Sequence, residues 1–366
     1  MNSTSPNTPE YRTNFDSLRL LFAIFVIFSH SFELVRVADP VQALIRTTSL
    51  GQLGVDGFFL ISGYLITGSW MSDPSIGRFL ARRVLRLYPA FIVASFFSVL
   101  VVGPLGADAA QYFRELELGR FLRGVLALQE PHTPRVFAGT SIESVNGAMW
   151  TISFEFRCYL LAIVCGLVGL FKRRIALLAG AVIVGVAICV TVPLTGAIDY
   201  QHMIFGLKAL RISDSMEWFV ALFLTGSCFY VFRDRIRYTF VRWLVACGAL
   251  AASLLYPDLV RPGVLLAGAY VIFGAASVQL PLRPGRRAHV DLSYGLYLYG
   301  WPVQKLLSWY WPAITPWVLF AFTLPVCAAL ASVSWRLIEQ PALRLKPRTP
   351  RREKSQTAGL GESQGA

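Results

Sequence analysis

The stretch "FDSLRLLFAIFVIFSHSFE" (residues 15–33) decides how the rest of the chain is read. Its centre, from Leu20 to Phe28, is an unbroken apolar run. A polar tail, "MNSTSPNTPEYRT" (1–13), precedes it, and no small-residue cleavage site is evident. The stretch therefore predicts a retained membrane-spanning helix and not a removable signal peptide. It nevertheless carries Arg19 and His30, and ionisable side chains inside a bilayer are costly enough to mark function. At 100° per residue the two project from one helical face, roughly 16 Å apart along the axis.

The composition agrees with that reading. The 366 residues are 55% hydrophobic and only 15% charged, with a mean hydropathy of +0.54. A soluble chain carries about 25% charged residues. Membrane β-strands would give alternating segments of about ten residues, and these are not seen. The net charge of +13 does not indicate nucleic-acid binding, because the basic residues sit in short clusters between apolar runs, as membrane topology requires. The cysteines (Cys158, Cys165, Cys189, Cys228, Cys247 and Cys327) lack CxxC spacing and read as small packing residues, with no disulfide or metal framework.

Apolar segments predict an all-α, polytopic helix bundle of ten spans, at about 17–36, 52–71, 87–105, 147–170, 175–196, 214–232, 239–256, 262–280, 291–309 and 315–338. Gly54, Gly57, Gly63 and Gly68 interrupt the second, which fits a bend or close packing on a neighbour. With the N-terminus in the cytoplasm, every inner connection is basic. They carry Arg12 and Arg19, then Arg78, Arg82, Arg83 and Arg86, then Lys172 to Arg174, Arg233 to Arg242, Arg283 to Arg287, and the run from Arg336 onward. This bias places both termini inside. Two segments stand apart. The outer connection 106–146 contains the amphipathic "YFRELELGRFLRGVLAL" (112–128), suited to the membrane surface or to a plain connector. The tail 346–366 is basic and polar and is expected to be disordered. The chain thus divides into 1–13, a membrane domain over 14–345, and 346–366.

Inside the spans, depth relates two residues. Glu155 lies about 12 Å inside the outer start of the fourth span, and His30 about 9 Å inside the outer end of the first, at 1.5 Å per residue. A carboxylate beside an imidazole orients it and stabilises its charged form, so His30 and Glu155 can form a general base and its partner. Glu33, one helical turn from His30, competes for that role. A purely interhelical hydrogen bond by His30 is the plainer alternative. In "GRFLARRVLRLYPA" (77–90), Arg82, Arg83 and Arg86 share a helical flank. Guanidinium groups suit phosphate, although sequence physics alone favours the plainer reading, that the cluster anchors topology and touches anionic lipid headgroups.

Six motifs in order resemble those of the membrane acyltransferase-3 family, over about 14–345. Arg19 and His30 resemble its arginine, ten residues, histidine signature. "GVDGFFLISGYLIT" (54–67) is similar to its glycine-rich second span, and "FLARRVLRLYPA" (79–90) to its RxxR segment at Arg83 and Arg86. "NGAMWTISFEFRCYL" (146–160) resembles its fourth-span motif through Trp150, Thr151, Glu155 and Tyr159. "SYGLYLYGWPV" (293–303) and "WRLIEQP" (335–341) resemble its closing motifs.

The resemblance implies a multi-pass bacterial inner-membrane O-acyltransferase. Its acyl-CoA co-substrate, acetyl-CoA by default, binds on the cytoplasmic side, and its acceptor is a carbohydrate or glycoconjugate. No metal and no nucleic acid are expected. On this reading His30 and Glu155 are catalytic. Arg83 and Arg86, with Arg82 and Arg19, hold the donor phosphates, and Asn146, Trp150, Ser153 and Tyr159 line the acceptor path. Direct transfer is ranked above an acyl-histidine or acyl-Ser62 intermediate. The residues after 338 are too few for the appended hydrolase-like domain of many relatives, so the standalone form is expected. The rival class is a transporter or flippase for a lipid-linked sugar, with Arg19, His30, Glu155 and Arg157 as its polar pathway.

Overall fold

The computed structural model describes residues 9–191, 214–278 and 290–347, and among these every regular element is helical. The ten principal helices are α1 (Pro9–Glu33), α2 (Leu50–Ser72), α3 (Ile76–Leu105), α4 (Gly147–Leu167), α5 (Arg174–Thr191), α6 (Asp214–Val231), α7 (Phe240–Ser253), α8 (Pro257–Ser277), α9 (Ser293–Tyr310) and α10 (Pro316–Arg344). The basic cluster from Arg283 to Arg287, the end of the fifth expected span and most of both tails lie outside the described residues.

Among the described residues six helices are long and apolar enough to cross a membrane: α1 from Asn14 onward, α2, α3, α4, α8 and α10. Ten crossings were expected. The described apolar parts of α5, α6 and α7 are shorter. Helix α9 departs for a different reason. Every residue from Ser293 to Lys305 is buried, so Tyr294, Tyr297, Tyr299, Gln304 and Lys305 face protein instead of lipid. It packs between α1 and α10, and Gln304 donates to the Ile27 carbonyl (2.8 Å) and to Ser31 Oγ (2.6 Å).

Helix α2 is the hub, contacting α1, α4 and α6. Its glycines serve close packing; the helix runs unbroken from Leu50 to Ser72. A Cβ at Gly57 would overlap the Phe22 ring of α1, and one at Gly63 would overlap the Phe223 carbonyl of α6. Such contact replaces hydrophobic driving force where lipid is as apolar as the side chains.

Helix α3 begins eleven residues before the expected start at 87, at Ile76. Nothing between Ile76 and Tyr88 breaks a helix, and the arginines favour one. The cluster therefore sits on the first turns of a continuous helix and not in a connection. Asp73 accepts from Arg78 Nε (2.9 Å), Arg78 Nη2 (2.6 Å) and Arg82 Nη1 (2.8 Å). Those two arginines hold its carboxyl far below the usual range.

The amphipathic outer segment forms two short helices, Ala109–Glu115 and Leu118–Leu126. The second runs down α3: Phe121 meets Phe96 edge-on at 5.1 Å, and Tyr88 donates to the Leu126 carbonyl at 2.8 Å. Tyr88 lies about 25 Å along α3 from Leu105. The segment thus packs lengthwise on a helix and does not lie flat across the end of the bundle. The remainder of the connection is clasped to the bundle. Lys305 Nζ donates to Thr140 Oγ1 (2.9 Å) and the Ile142 carbonyl (2.7 Å). Arg135 grips Glu143 through two hydrogen bonds (2.7 and 2.8 Å), which hold that carboxyl down to about 2.

Candidate active site

The inward faces of α1, α2, α3, α4 and α9 line a pocket with an empty volume of about 760 Å³, open solvent included. Its polar lining is Arg19 from α1, Ser62 from α2, Arg83 and Arg86 from α3, Thr151, Glu155 and Tyr159 from α4, and Ser293, Tyr294 and Tyr297 from α9. The rest is apolar, including Val55, Phe58, Phe59, Leu65 and Ile66 on α2 and Ile152 on α4.

Trp70 of α2 meets Phe79 of α3 edge-on at 5.4 Å, which fixes the antiparallel register of the two helices. Arg83 then lies level with Ile66, and the α2 wall climbs from Ile66 to Val55 over about 16 Å. The pocket is cationic at the Arg83 end and aromatic at the Val55 end. At the aromatic end Thr151 Oγ1 and the Tyr297 hydroxyl share a hydrogen bond (2.6 Å), and Phe58 packs on Tyr297 and on Phe22 at 5.9 Å each.

The arginines divide by partner. Arg86 pairs with Asp291 and lies 3.7 Å from Glu339, and Arg19 reaches the same Asp291 at 3.3 Å. Asp291 in turn accepts from the hydroxyl and backbone N–H of Ser293. Arg82 is buried on Asp73 and does not line the pocket, so the structure separates it from the other three expected donor-binding arginines. Its place on α3 turns it towards the α2–α3 connection. Arg83 differs from all of these. Among the described residues no carboxylate lies within ion-pair distance of it, and its buried Nε has no hydrogen-bond partner. Its guanidinium lies 5.8 Å from the Phe79 and Tyr159 ring centres. Ser62 Oγ is likewise buried without a partner. A guanidinium without a carboxylate partner and an unsatisfied hydroxyl lining the same pocket fit an anionic ligand with polar atoms further along its length.

Glu155 lines this pocket and accepts from Tyr159. His30 does not line it. Of the two acidic partners the sequence left open for His30, the structure brings Glu33 within reach and forms no ion pair with Glu155. The carboxylate nearest His30 is Glu33, at 3.9 Å, and its ring stands edge-on to Trp301 at 4.8 Å. Equal depth on two helices did not bring the side chains together, because Glu155 turns towards Tyr159 one turn along α4. Trp301 lies one turn of α9 beyond Tyr297, so His30 sits just past the aromatic end of the pocket, about 16 Å along α1 from Arg19.

The expected acceptor-path residues scatter. Tyr159 is in the pocket. Asn146 is fully buried and donates to Ser98 Oγ (3.1 Å) and the Leu298 carbonyl (3.0 Å), tying the start of α4 to α3 and α9. Trp150 packs on Phe154 and Phe219, and Ser153 donates back to the Trp150 carbonyl (3.1 Å). Neither Trp150 nor Ser153 lines the pocket. Arg157 is exposed over Phe154, apart from Arg19 and Glu155, so the four-residue pathway of the transporter reading is not assembled.

Two pocket-side carboxylates escaped the reading of the sequence. Asp291 stood at the edge of an expected span and Glu339 inside the quoted "WRLIEQP" segment. A search for acidic partners to the span arginines would have found both. Glu339 is turned inward by a π-helical turn, Trp335–Glu339, in α10.

Comparison with known proteins bears on this site. A family model for an acyltransferase domain matches residues 12–336. The chain is 30% identical to Nodulation protein 10 of Rhizobium leguminosarum bv. viciae, covering 94% of this chain and 97% of that one. It is 27% identical to the O-acetyl transferase of Shigella phage Sf6, covering 89% and 94%. Acyltransferase MdmB of Streptomyces mycarofaciens is 28% identical over 39% of this chain and 36% of its own. No solved structure gives a significant match. With nearly the whole membrane domain matched, and its arginines gathered around one pocket, the chain belongs to the membrane acyltransferase-3 family and is an enzyme that transfers acyl groups.

Proposed function

We propose that this membrane O-acyltransferase moves an acyl group, acetyl by default, from acyl-CoA to a hydroxyl of a sugar, polysaccharide or glycoconjugate. The reading places it in a bacterial inner membrane with ten spans and both termini inside. The family match and the O-acetyl transferase relative support acyl transfer. The observation that carries the donor is Arg83, the pocket guanidinium without a carboxylate among the described residues. Arg19 and Arg86 are already compensated by Asp291, so Arg83 has charge to offer a phosphate.

In this scheme the CoA phosphates meet Arg83 near the inner end of α3, and the pantetheine arm runs along the α2 wall. The thioester then arrives at the Phe58–Tyr297 end, just below His30. The acceptor hydroxyl attacks the thioester carbonyl carbon, the carbon–sulfur bond breaks, and CoA leaves as the thiolate. His30 takes the hydroxyl proton, with Glu33 as its acidic neighbour and Glu155 serving the donor side.

Equilibrium binding of labelled acetyl-CoA to the purified full chain tests the donor assignment. Arg83→Lys keeps the charge but loses the two-pronged fork, so affinity falls about tenfold, or roughly 1.4 kcal/mol. His30→Ala keeps donor binding and loses transfer in membranes that contain the acceptor. Unchanged acetyl-CoA affinity in Arg83→Lys removes Arg83 from the donor site.

A further inference from the structure

The aromatic end of the pocket has a lateral wall that donor binding alone does not require. Phe59 lines the pocket and is 4% exposed. Behind it, Phe219 of α6 is stacked face to face, with ring centres 4.0 Å apart and planes within 3°. Phe219 is itself braced by Phe154 at 5.6 Å and Trp150 at 5.7 Å, both from the α4 segment. Phe59 therefore cannot retreat without moving three other rings, in a region where α2 and α6 pack backbone to backbone at Gly63 and Gly226. Close-packed rings of this kind yield little to an inserted group.

We infer that the Phe59–Phe219 stack is the ruler for the acyl group, closing the pocket to all but short chains. The inference rests on the proposed acyl-CoA reading and deepens it. With phosphate at Arg83, the roughly 16 Å climb from Ile66 to Val55 carries the thioester towards the aromatic end. There the apolar surface available to the acyl chain is Val55, Phe58, Ile152 and the face of Phe59. A short chain fills it, and a longer one meets the braced ring. This also assigns a role to Trp150, as a support behind the wall and not as a contact with the acceptor.

Competition for bound labelled acetyl-CoA by CoA, acetyl-CoA, butyryl-CoA, hexanoyl-CoA and octanoyl-CoA tests the idea. Each affinity is expressed relative to unacylated CoA on the same protein, which cancels losses of folded material. In the unmodified chain the relative affinity is expected to drop at least tenfold between acetyl and octanoyl. Phe59→Ala removes the ring and is expected to restore octanoyl-CoA by at least that factor. Phe59→Leu, a milder change that keeps apolar contact with Phe219, gives an intermediate gain. A flat or rising profile in the unmodified chain overturns the inference, as does an unshifted profile in whichever Phe59 variant folds. If neither acetyl-CoA nor CoA binds the unmodified chain, the donor reading itself falls.

Discussion

Asp291 shows how one carboxylate shapes a site it does not line. It compensates Arg19 and Arg86 together and is only 5% exposed. Both cations need it, because a buried charge left alone costs far more than the pair contributes. Glu339 supports Arg86 from a second helix at 3.7 Å. Arg83 has no such partner among the described residues and, on the proposed reading, is the one that meets the donor phosphate. Replacing Asp291 by Asn keeps the shape and removes the charge. The expected cost is about 3–5 kcal/mol, read as a lower melting temperature of the detergent-solubilised chain. Arg83→Lys, by contrast, should melt within a degree or two of the parent, since no partner is lost. Equal melting of Asp291→Asn and the parent would show that the two arginines find other counter-charges.

At the scale of elements, the pocket depends on how closely α2 approaches its neighbours. Gly63 meets the Phe223 carbonyl, and Gly226 of α6 meets the Leu60 carbonyl, so each helix supplies the gap the other needs. The same contact holds Phe59 against Phe219 one turn away. Gly63→Val must push α6 outward, since a backbone carbonyl cannot rotate aside as a side chain can. Overpacking of this kind costs about 1–3 kcal/mol. The expected outcome is a lower melting temperature and weaker acetyl-CoA binding together. Gly77→Val faces open space on α3 and is the control, expected to change neither. Unchanged acetyl-CoA binding in a destabilised Gly63→Val would uncouple the pocket from the α2–α6 contact.

Across the whole molecule, charge asymmetry sets orientation and the pocket uses it. Under the proposed reading the basic connections face the cytoplasm, which puts the start of α3 where acyl-CoA is found. Position-specific reporters test the arrangement directly. One that is active only outside the inner membrane should be active after residue 139 and silent after residue 173 or 236. Changing Arg82, Arg83 and Arg86 together to Lys should leave that pattern intact, because the positive charge is kept, while acetyl-CoA binding weakens. Activity after 173 would invert the scheme and place the Arg83 end of the pocket outside.

The sequence by itself determined the helical membrane class, the positions of the helical segments and the family, because apolar run length, basic clustering and ordered motifs are local properties of the chain. It also named most of the polar lining of the pocket: Arg19, Ser62, Arg83, Arg86, Glu155 and Tyr159. Only the tertiary structure decided which of them meet. Depth along a helix does not reveal which way a side chain faces across the bundle, and so the sequence left Glu155 and Glu33 both open for His30, whose neighbours are Glu33 and Trp301. Asp291 and the Phe59–Phe219 stack were hidden for the same reason. Each acts through a residue far away in the chain, on a helix whose rotation and distance are settled by glycine-to-carbonyl packing rather than by hydropathy.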